Sequence, residues 1–252
     1  MAVPFRLPRI AVPLASLALL IALWSLVATA AANPSLPPPS RVAVTLYRAV
    51  ASGELPYHLG VTLLRLSISF TIAMLLGCGL GLVLGRHKQL DAFFDNWLVL
   101  FLNIPALVTI ILCYVWFGLS ESAAILAVVI NKLPNVAVTI REGTRALDRD
   151  LLDMARSYGF SPAKTLRHVV WPQLHPFVMS ATRSGLALIW KIILVVELLG
   201  RGNGMGYQLH LFFQLFDVAS LLAYTIAFVA VIQLLEWLVL RPLDAKARRW
   251  RR

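Results

Sequence analysis

Among the ionisable side chains inside apolar stretches of this chain, Lys132, Arg183, Lys191, Glu197 and Glu236 are the candidates for a functional role. Charges held away from water are costly, so they pair, snorkel to an interface or line a route for a polar solute. Arg183 lies only a few residues into its stretch and can snorkel. Lys191 lies deeper, with Glu236 as a candidate partner, and an anionic solute would tolerate a weakly positive route past it. Lys132, Lys191 and Glu197 are therefore candidate pathway residues. Asn103 and Asn131 join them, as polar groups beside proline-interrupted segments. A charge satisfied inside a helix bundle accounts for the same residues at least as well, and that alternative stays open.

Bond-making chemistry has no counterpart here. The sequence contains no GxxxxGK[ST], no Ser–His–acid pattern and no HExxH. His58, His87, His168, His175 and His210 are scattered, mostly at expected membrane edges, which predicts solvated or interfacial side chains. Cys78 and Cys113 lie in apolar segments with no CxxC pair, so they read as packing residues and not as redox or zinc sites. The chain is expected not to be an enzyme and to bind no cofactor or metal of its own.

The elements that must position these residues are membrane spans. The apolar fraction is 59%, the charged fraction 14% and the mean hydropathy +0.78, too apolar for a soluble domain of 252 residues. Apolar runs at about 10–32, 59–85, 93–117, 122–140, 177–199 and 221–240 predict an all-α polytopic membrane protein with about six transmembrane helices. The first run also resembles a secretory signal, with Arg6 and Arg9 ahead of it and Ala30-Ala31-Ala32 at its end. Its length favours a retained span. A short surface helix is expected over 42–50. The glycines 77, 79, 81 and 85 are expected to let helix backbones approach. Pro105 predicts a kink or discontinuity in the third run, and Asn131, Lys132 and Pro134 a break in the fourth.

The net charge of +11 is distributed unevenly. With six spans, sixteen of the 23 Lys and Arg residues fall on the side of the termini and the long central loop, and three on the other. The positive-inside rule then makes both termini and the central loop cytoplasmic, and makes nucleic acid an unneeded explanation of the charge.

That central loop, 141–176, has its own punctuation. Asp148 is placed to start a helix, Leu147, Leu151, Leu152, Met154 and Ala155 share a helical face, and Gly159 reads as a C-terminal cap. Ser161-Pro162 opens a second helix carrying Leu166, Val169 and Val170, which Pro172 and Pro176 are expected to end. A helix–glycine–helix hairpin of this kind is suited to docking a partner.

Asp153-Met154-Ala155, Gly159, Val169 and Pro172 resemble the EAA loop of inner-membrane permease subunits of binding-protein-dependent ABC importers. Every spacing of that pattern is kept, with Asp153 in place of Glu, Met154 in place of Ala and Trp171 in place of Leu. Pro105 with Trp116-Phe117-Gly118-Leu119-Ser120-Glu121, and Glu197 with Gly204-Met205-Gly206-Tyr207, resemble the nitrate/sulfonate/taurine/bicarbonate branch.

The resemblance implies a type I ABC importer transmembrane domain. It would be a multi-pass protein of the bacterial inner membrane that moves a small anionic solute, with an alkanesulfonate, taurine or nitrate as the family expectation. It implies coupling to an ATPase through Leu151, Asp153, Met154, Ala155, Gly159 and Pro172, and a periplasmic gate at Gly204, Gly206 and Tyr207. Implied partners are two ABC ATPase subunits holding ATP and Mg, a second copy of the permease (a homodimer) and a periplasmic or lipid-anchored substrate-binding protein. The expected layout is an N-terminal helix and linker over 1–54 and a permease core over 55–240. The core contains the coupling loop 141–176, and a basic tail over 241–252 follows it. A gradient-driven secondary transporter and a non-transport membrane scaffold are the alternatives.

Overall fold

The computed structural model describes residues 11–31, 33 and 35–240. The basic tail and the arginines preceding the first apolar run lie outside the described residues.

The described chain is helical throughout: α1 (Ala11–Ala31), α2 (Pro39–Ala51), α3 (Glu54–Arg86), α4 (Lys88–Asn103), α5 (Ala106–Phe117), α6 (Glu121–Arg145), α7 (Arg149–Ser157), α8 (Pro162–Thr165), α9 (Trp171–Gly200), α10 (Met205–Gln214) and α11 (Val218–Leu235). A π-helical turn, Leu166–Val170, joins α8 to α9, and another, Glu236–Leu240, extends α11. By length and composition α3, α6 and Val218–Leu238 can each cross a membrane. The helices α4 and α5 can do so as one bent pair. At 30 residues α9 has the length of a span, but it carries Arg183, Lys191 and Glu197. The α1 helix is largely apolar, and among its described side chains it buries only Ala28.

Contacts between helices give their directions. On α3 and α6 the paired residues rise together, with Arg65 meeting Glu121, Gly77 meeting Val136 and Gly81 meeting Ala137, so the two helices are parallel. The bent pair α4–α5 carries the chain back between them. Against α9 the order reverses: Gly143 meets Phe177 and Lys132 meets Gly185, so α6 and α9 are antiparallel. One face of the bundle therefore collects the ends of α3 and α6 with the start of α9. The other collects α2, the start of α6 and the segment 201–206.

The core forms where α3, α5, α6 and α9 meet, around Leu66, Ile110, Ala124, Ala127, Ile189 and Ile193. Small residues set the α3–α6 distance. A Cβ on Gly77 would stand 2.6 Å from that of Val136, and one on Gly81 would stand 2.6 Å from the Ala137 carbonyl. One on Gly85 would collide with Thr144. Gly79 is different: nothing lies within 4 Å of its Cβ position, because residues two apart on a helix do not share a face.

The prolines behave in three ways. Ile104 adopts φ −70°, ψ 124°, the extended geometry that a following proline imposes, and α4 and α5 meet there at 96°. The expected break in the fourth run is absent, since α6 passes through buried Pro134 without interruption. Packing between α3 and α9 holds the helix straight enough to forgo one backbone bond. Pro172 and Pro176 likewise do not end the second hairpin helix, which runs on into α9. The π-helical turn before Pro172 shifts the hydrogen-bond ladder, a known way for membrane helices to absorb proline. The Gln173 amide also donates to the Val169 carbonyl at 2.9 Å.

Gly81→Val is expected to destabilise the bundle by about 1–3 kcal/mol through overpacking against backbone that cannot yield. Gly79→Val is expected to change stability by no more than about 0.5 kcal/mol. Thermal unfolding of the purified variants in detergent checks both.

Candidate functional site

The hairpin is built as the sequence suggests at its caps. The Asp148 carboxylate accepts from the amides of Asp150 (2.9 Å) and Leu151 (3.3 Å), and the Ser161 hydroxyl accepts from Lys164 (3.3 Å). Gly159, at φ +65°, lets the chain reverse while Phe160 N–H donates to the Ala155 carbonyl at 2.9 Å. That is the backbone closure of a glycine-ended helix. Gln173 ties the hairpin to α9, its side-chain oxygen accepting from the Asp148 amide at 2.8 Å.

The apolar residues of α7 do not share one environment. Ala155 is fully buried against the π-helical turn and Leu152 half-buried, whereas Leu151, Met154 and Tyr158 are exposed, the last at 75%. Spaced at i, i+3 and i+7, these three form an apolar stripe with no partner in the described chain. Asp153 pairs with Arg156 at 3.0 Å in solvent, a contact worth little by itself. Pro172 lies in the first turn of α9.

At the opposite face a buried polar network closes on Glu197, which is 0% exposed. Arg65 donates to it at 2.7 Å, the Gly206 amide at 2.9 Å, and the Thr62 hydroxyl lies 2.9 Å from both carboxylate oxygens. The same guanidinium donates to Glu121 at 2.8 and 2.5 Å and to the Asn203 carbonyl at 2.9 Å. Arg201 donates to Glu121 at 2.7 Å and to the Leu119 carbonyl at 2.6 Å. Met205 N–H donates to Thr62 at 2.8 Å, and Gly204 N–H donates to His58 Nδ1 at 3.0 Å. The other His58 nitrogen lies 2.7 Å from the Gln208 amide. The segment 201–206 is thus stitched to α3, α6 and α9.

Two glycines are required there. Gly204 sits at φ +105°, and a Cβ on it would fall on the Glu197 carboxylate; one on Gly206 would strike the Leu194 carbonyl. Tyr207 is half-buried beside the His58 ring, 6.3 Å between centroids.

The remaining pathway candidates are dispersed. Lys132 is 2% exposed and its ammonium has no hydrogen-bond partner among the described residues. Its stem fits against Gly185, where a Cβ would come within 2.9 Å of Lys132 Cε. Lys191 is exposed and makes no ion pair with Glu236; its ammonium lies 5.4 Å from the centre of the Trp190 ring. Lys191 and Glu236 do share a cavity of about 310 Å³ with Arg183 and Gln233. Asn131 is half-buried, 3.5 Å from the Ala127 carbonyl, and Asn103 is exposed at the α4–α5 bend, donating to the Val99 carbonyl at 2.7 Å. Glu197 presents no surface to a solute in this conformation.

Sequence reasoning passed over Arg65, Thr62, Glu121 and Asn203. An arginine within an apolar run was the available signal. His58 corrects the expectation of a solvated side chain: it is buried, and both ring nitrogens are engaged.

Comparison with known proteins is consistent across sequence and structure. Residues 73–249 match the family described as binding-protein-dependent transport system inner membrane component. The chain is 33% identical over 190 residues to the aliphatic sulfonates transport permease protein SsuC of Escherichia coli, covering 75% of this chain and 72% of that protein. It is 26% identical over 249 residues to the taurine transport system permease protein TauC of the same species, covering 96% and 90%. The inward-facing MetNI methionine ABC transporter superposes with a TM-score of 0.63 at 17% identity, over 76% of this chain and 93% of that one, a likeness of fold.

Glu197→Gln is expected to loosen the 201–206 segment, because breaking a buried pair leaves Arg65 under-compensated at a cost of about 3–5 kcal/mol. Thr62→Val removes the acceptor of Met205 N–H and is expected to cost about 1–3 kcal/mol. Hydrogen exchange at residues 203–206 reads both. Exchange as slow as in the unaltered protein would show that the network does not hold the segment.

Proposed function

The chain belongs to the family of binding-protein-dependent transport system inner membrane components, and on that premise we propose that it is the permease subunit of an ATP-driven importer for a small organic or inorganic anion, of alkanesulfonate, taurine or nitrate type. The observation that carries the coupling role is the exposed stripe Leu151, Met154 and Tyr158 on a short helix capped at both ends. An apolar stripe presented this rigidly is suited to the groove of a partner. The partner is an ABC ATPase, two copies serving two permease chains, with ATP and Mg held in the ATPase. Gly159 permits the reversal that presents the stripe.

The working cycle follows from this placement. A loaded substrate-binding protein docks at the face carrying 201–206. Closure of the ATPases on ATP draws the two α7 helices together, and the permease pair turns outward to accept the solute. Hydrolysis resets it inward. The chain works as a homodimer in the inner membrane, with both termini and the hairpin in the cytoplasm. In this layout 55–240 is the permease core.

The substrate class rests on the names of the relatives and on the positive charge inside the bundle. Lys132 is a cation held at 2% exposure without a counter-charge among the described residues. A group kept at such a cost is retained for function, here to meet the anion when α6 and α9 part. Choice among anions belongs to the binding protein.

Gly159→Val is expected to insert and fold, since nothing lies within 4 Å of the added Cβ. The strained φ would misplace α7, and ATP-driven uptake is expected to fall at least tenfold. Wild-type uptake would sink the coupling role. Lys132→Met is expected to raise thermal stability while lowering uptake of taurine or ethanesulfonate at least tenfold, with Lys132→Arg intermediate. Unchanged uptake would make Lys132 a structural residue. Affinity purification of the tagged chain from its host, with mass spectrometry of the companions, tests the assembly: an ATPase and a secreted binding protein are expected.

A further inference from the structure

Behind the hairpin lies a groove of about 1140 Å³ that coupling does not use. It runs between the α3–α4 corner and the face of α7 opposite the exposed stripe. Arg86 and Lys88 enter it from the corner, Arg145 from α6, and Arg149 and Arg156 from α7. Only two acids line it, Asp91 and Asp153, leaving it three positive charges in excess. The acids are also already engaged. Asp91 takes Arg145 and, at 3.0 Å, Arg141; Asp153 takes Arg156 at 3.0 Å. Among the described residues Arg86, Lys88 and Arg149 have no ion pair or side-chain hydrogen bond. Apolar side chains share the lining with these cations, among them Leu84, Leu152, Leu166 and Val170.

Depth decides what such a groove meets. Arg86 is the last residue of the α3 span and Lys88 the first of α4, so these two cations mark the boundary between hydrocarbon and water, with Arg149 facing them from α7. Phosphate groups of lipids occupy that level, and basic clusters between helices there select anionic headgroups. The apolar part of the lining suits the first methylenes of an acyl chain. Unfilled by lipid, the groove has no plausible tenant within the chain: the residues before α1 and after 240 are themselves basic, with Arg6, Arg9 and six Lys or Arg in 241–252.

We propose that this groove binds the phosphate of an anionic phospholipid from the adjoining leaflet, through Arg86, Lys88 and Arg149, and that the lipid braces α7 against the end of α3. On α7 the groove residues Arg149, Leu152, Asp153 and Arg156 recur at i, i+3, i+4 and i+7, whereas Leu151, Met154 and Tyr158 point elsewhere. An ATPase on the stripe and a lipid in the groove can therefore occupy one helix together. The bracing role rests on the permease reading; capture of the lipid does not.

The test uses the full-length protein in phosphatidylcholine bilayers containing spin-labelled phosphatidylglycerol or spin-labelled phosphatidylcholine. The immobilised lipid fraction is compared by electron paramagnetic resonance. The protein is expected to immobilise phosphatidylglycerol in preference to phosphatidylcholine. Arg86→Gln/Lys88→Gln/Arg149→Gln is expected to reduce that preference roughly tenfold at physiological salt. Arg86→Lys/Arg149→Lys keeps the charge and is expected to keep the preference, which separates lost charge from lost fold. Arg167→Gln, outside the groove, is expected to have no effect, and Asp153→Asn, which releases Arg156, to raise the preference. No preference in the unaltered protein, or one that survives the triple substitution, would overturn the proposal. So would its abolition by soluble glycerol phosphate, which would make the site one for a free phosphate, or by assembly with the ATPase, which would make the groove a protein contact. Should no ATPase associate with the chain, the permease reading would fall while the lipid preference could still be read.

Discussion

The Arg65 guanidinium lies between two carboxylates, Glu121 and Glu197, that reach it from different helices. Buried at 4% exposure inside a membrane span, it is tolerable only because its donors are taken up by those acids and by Asn203. The converse also holds. Glu197, fully buried, needs Arg65, Thr62 and the Gly206 amide to remain there. Each group makes the burial of the other affordable, so α3, α6, α9 and the segment 201–206 must meet at one place. The glycines follow from this, because Gly204 and Gly206 bring backbone to positions where a side chain would strike Glu197 or Leu194.

One helix connects this network to the hairpin. Near its start α9 carries Gln173, which holds the Asp148 amide; near its end it carries Glu197. The two are about 36 Å apart along a continuous helix, at 1.5 Å per residue. The first tie is a solvent-exposed hydrogen bond to a side chain that also satisfies the Val169 carbonyl, and the second is a charge pair away from solvent. One continuous helix thus joins the hairpin to the face where 201–206 lies, which is what the coupling role proposed above needs.

Between these ends the bundle keeps one expense that packing does not explain. Lys132 is enclosed by α3 and α9, with Gly185 shaped around its stem, yet no acceptor meets its ammonium. Glu197 solved the problem of a buried charge with partners; Lys132 did not. The contrast separates a structural ion pair from a buried cation without an acceptor among the described residues, although both residues entered as equal candidates from sequence.

Much of this was legible in the residues. Apolar runs determined the helices, Asp148, Gly159 and Ser161 the hairpin caps, and Pro105 the bend, because each of these effects acts within a turn or two of chain. Proline at 134, 172 and 176 misled, since local chemistry predicts a break that α3, α9 and a π-helical turn absorb. The face of α7 that stays exposed, the partners of Arg65 and the isolation of Lys132 were decided only in three dimensions. They depend on which helices pack together, and residues 65, 121 and 197 carry no local pattern that announces their meeting. Sequence by itself determined what each segment is. Tertiary structure decided which buried charges neutralise one another and which are left without a partner, because that balance is set by distances between helices remote in the chain.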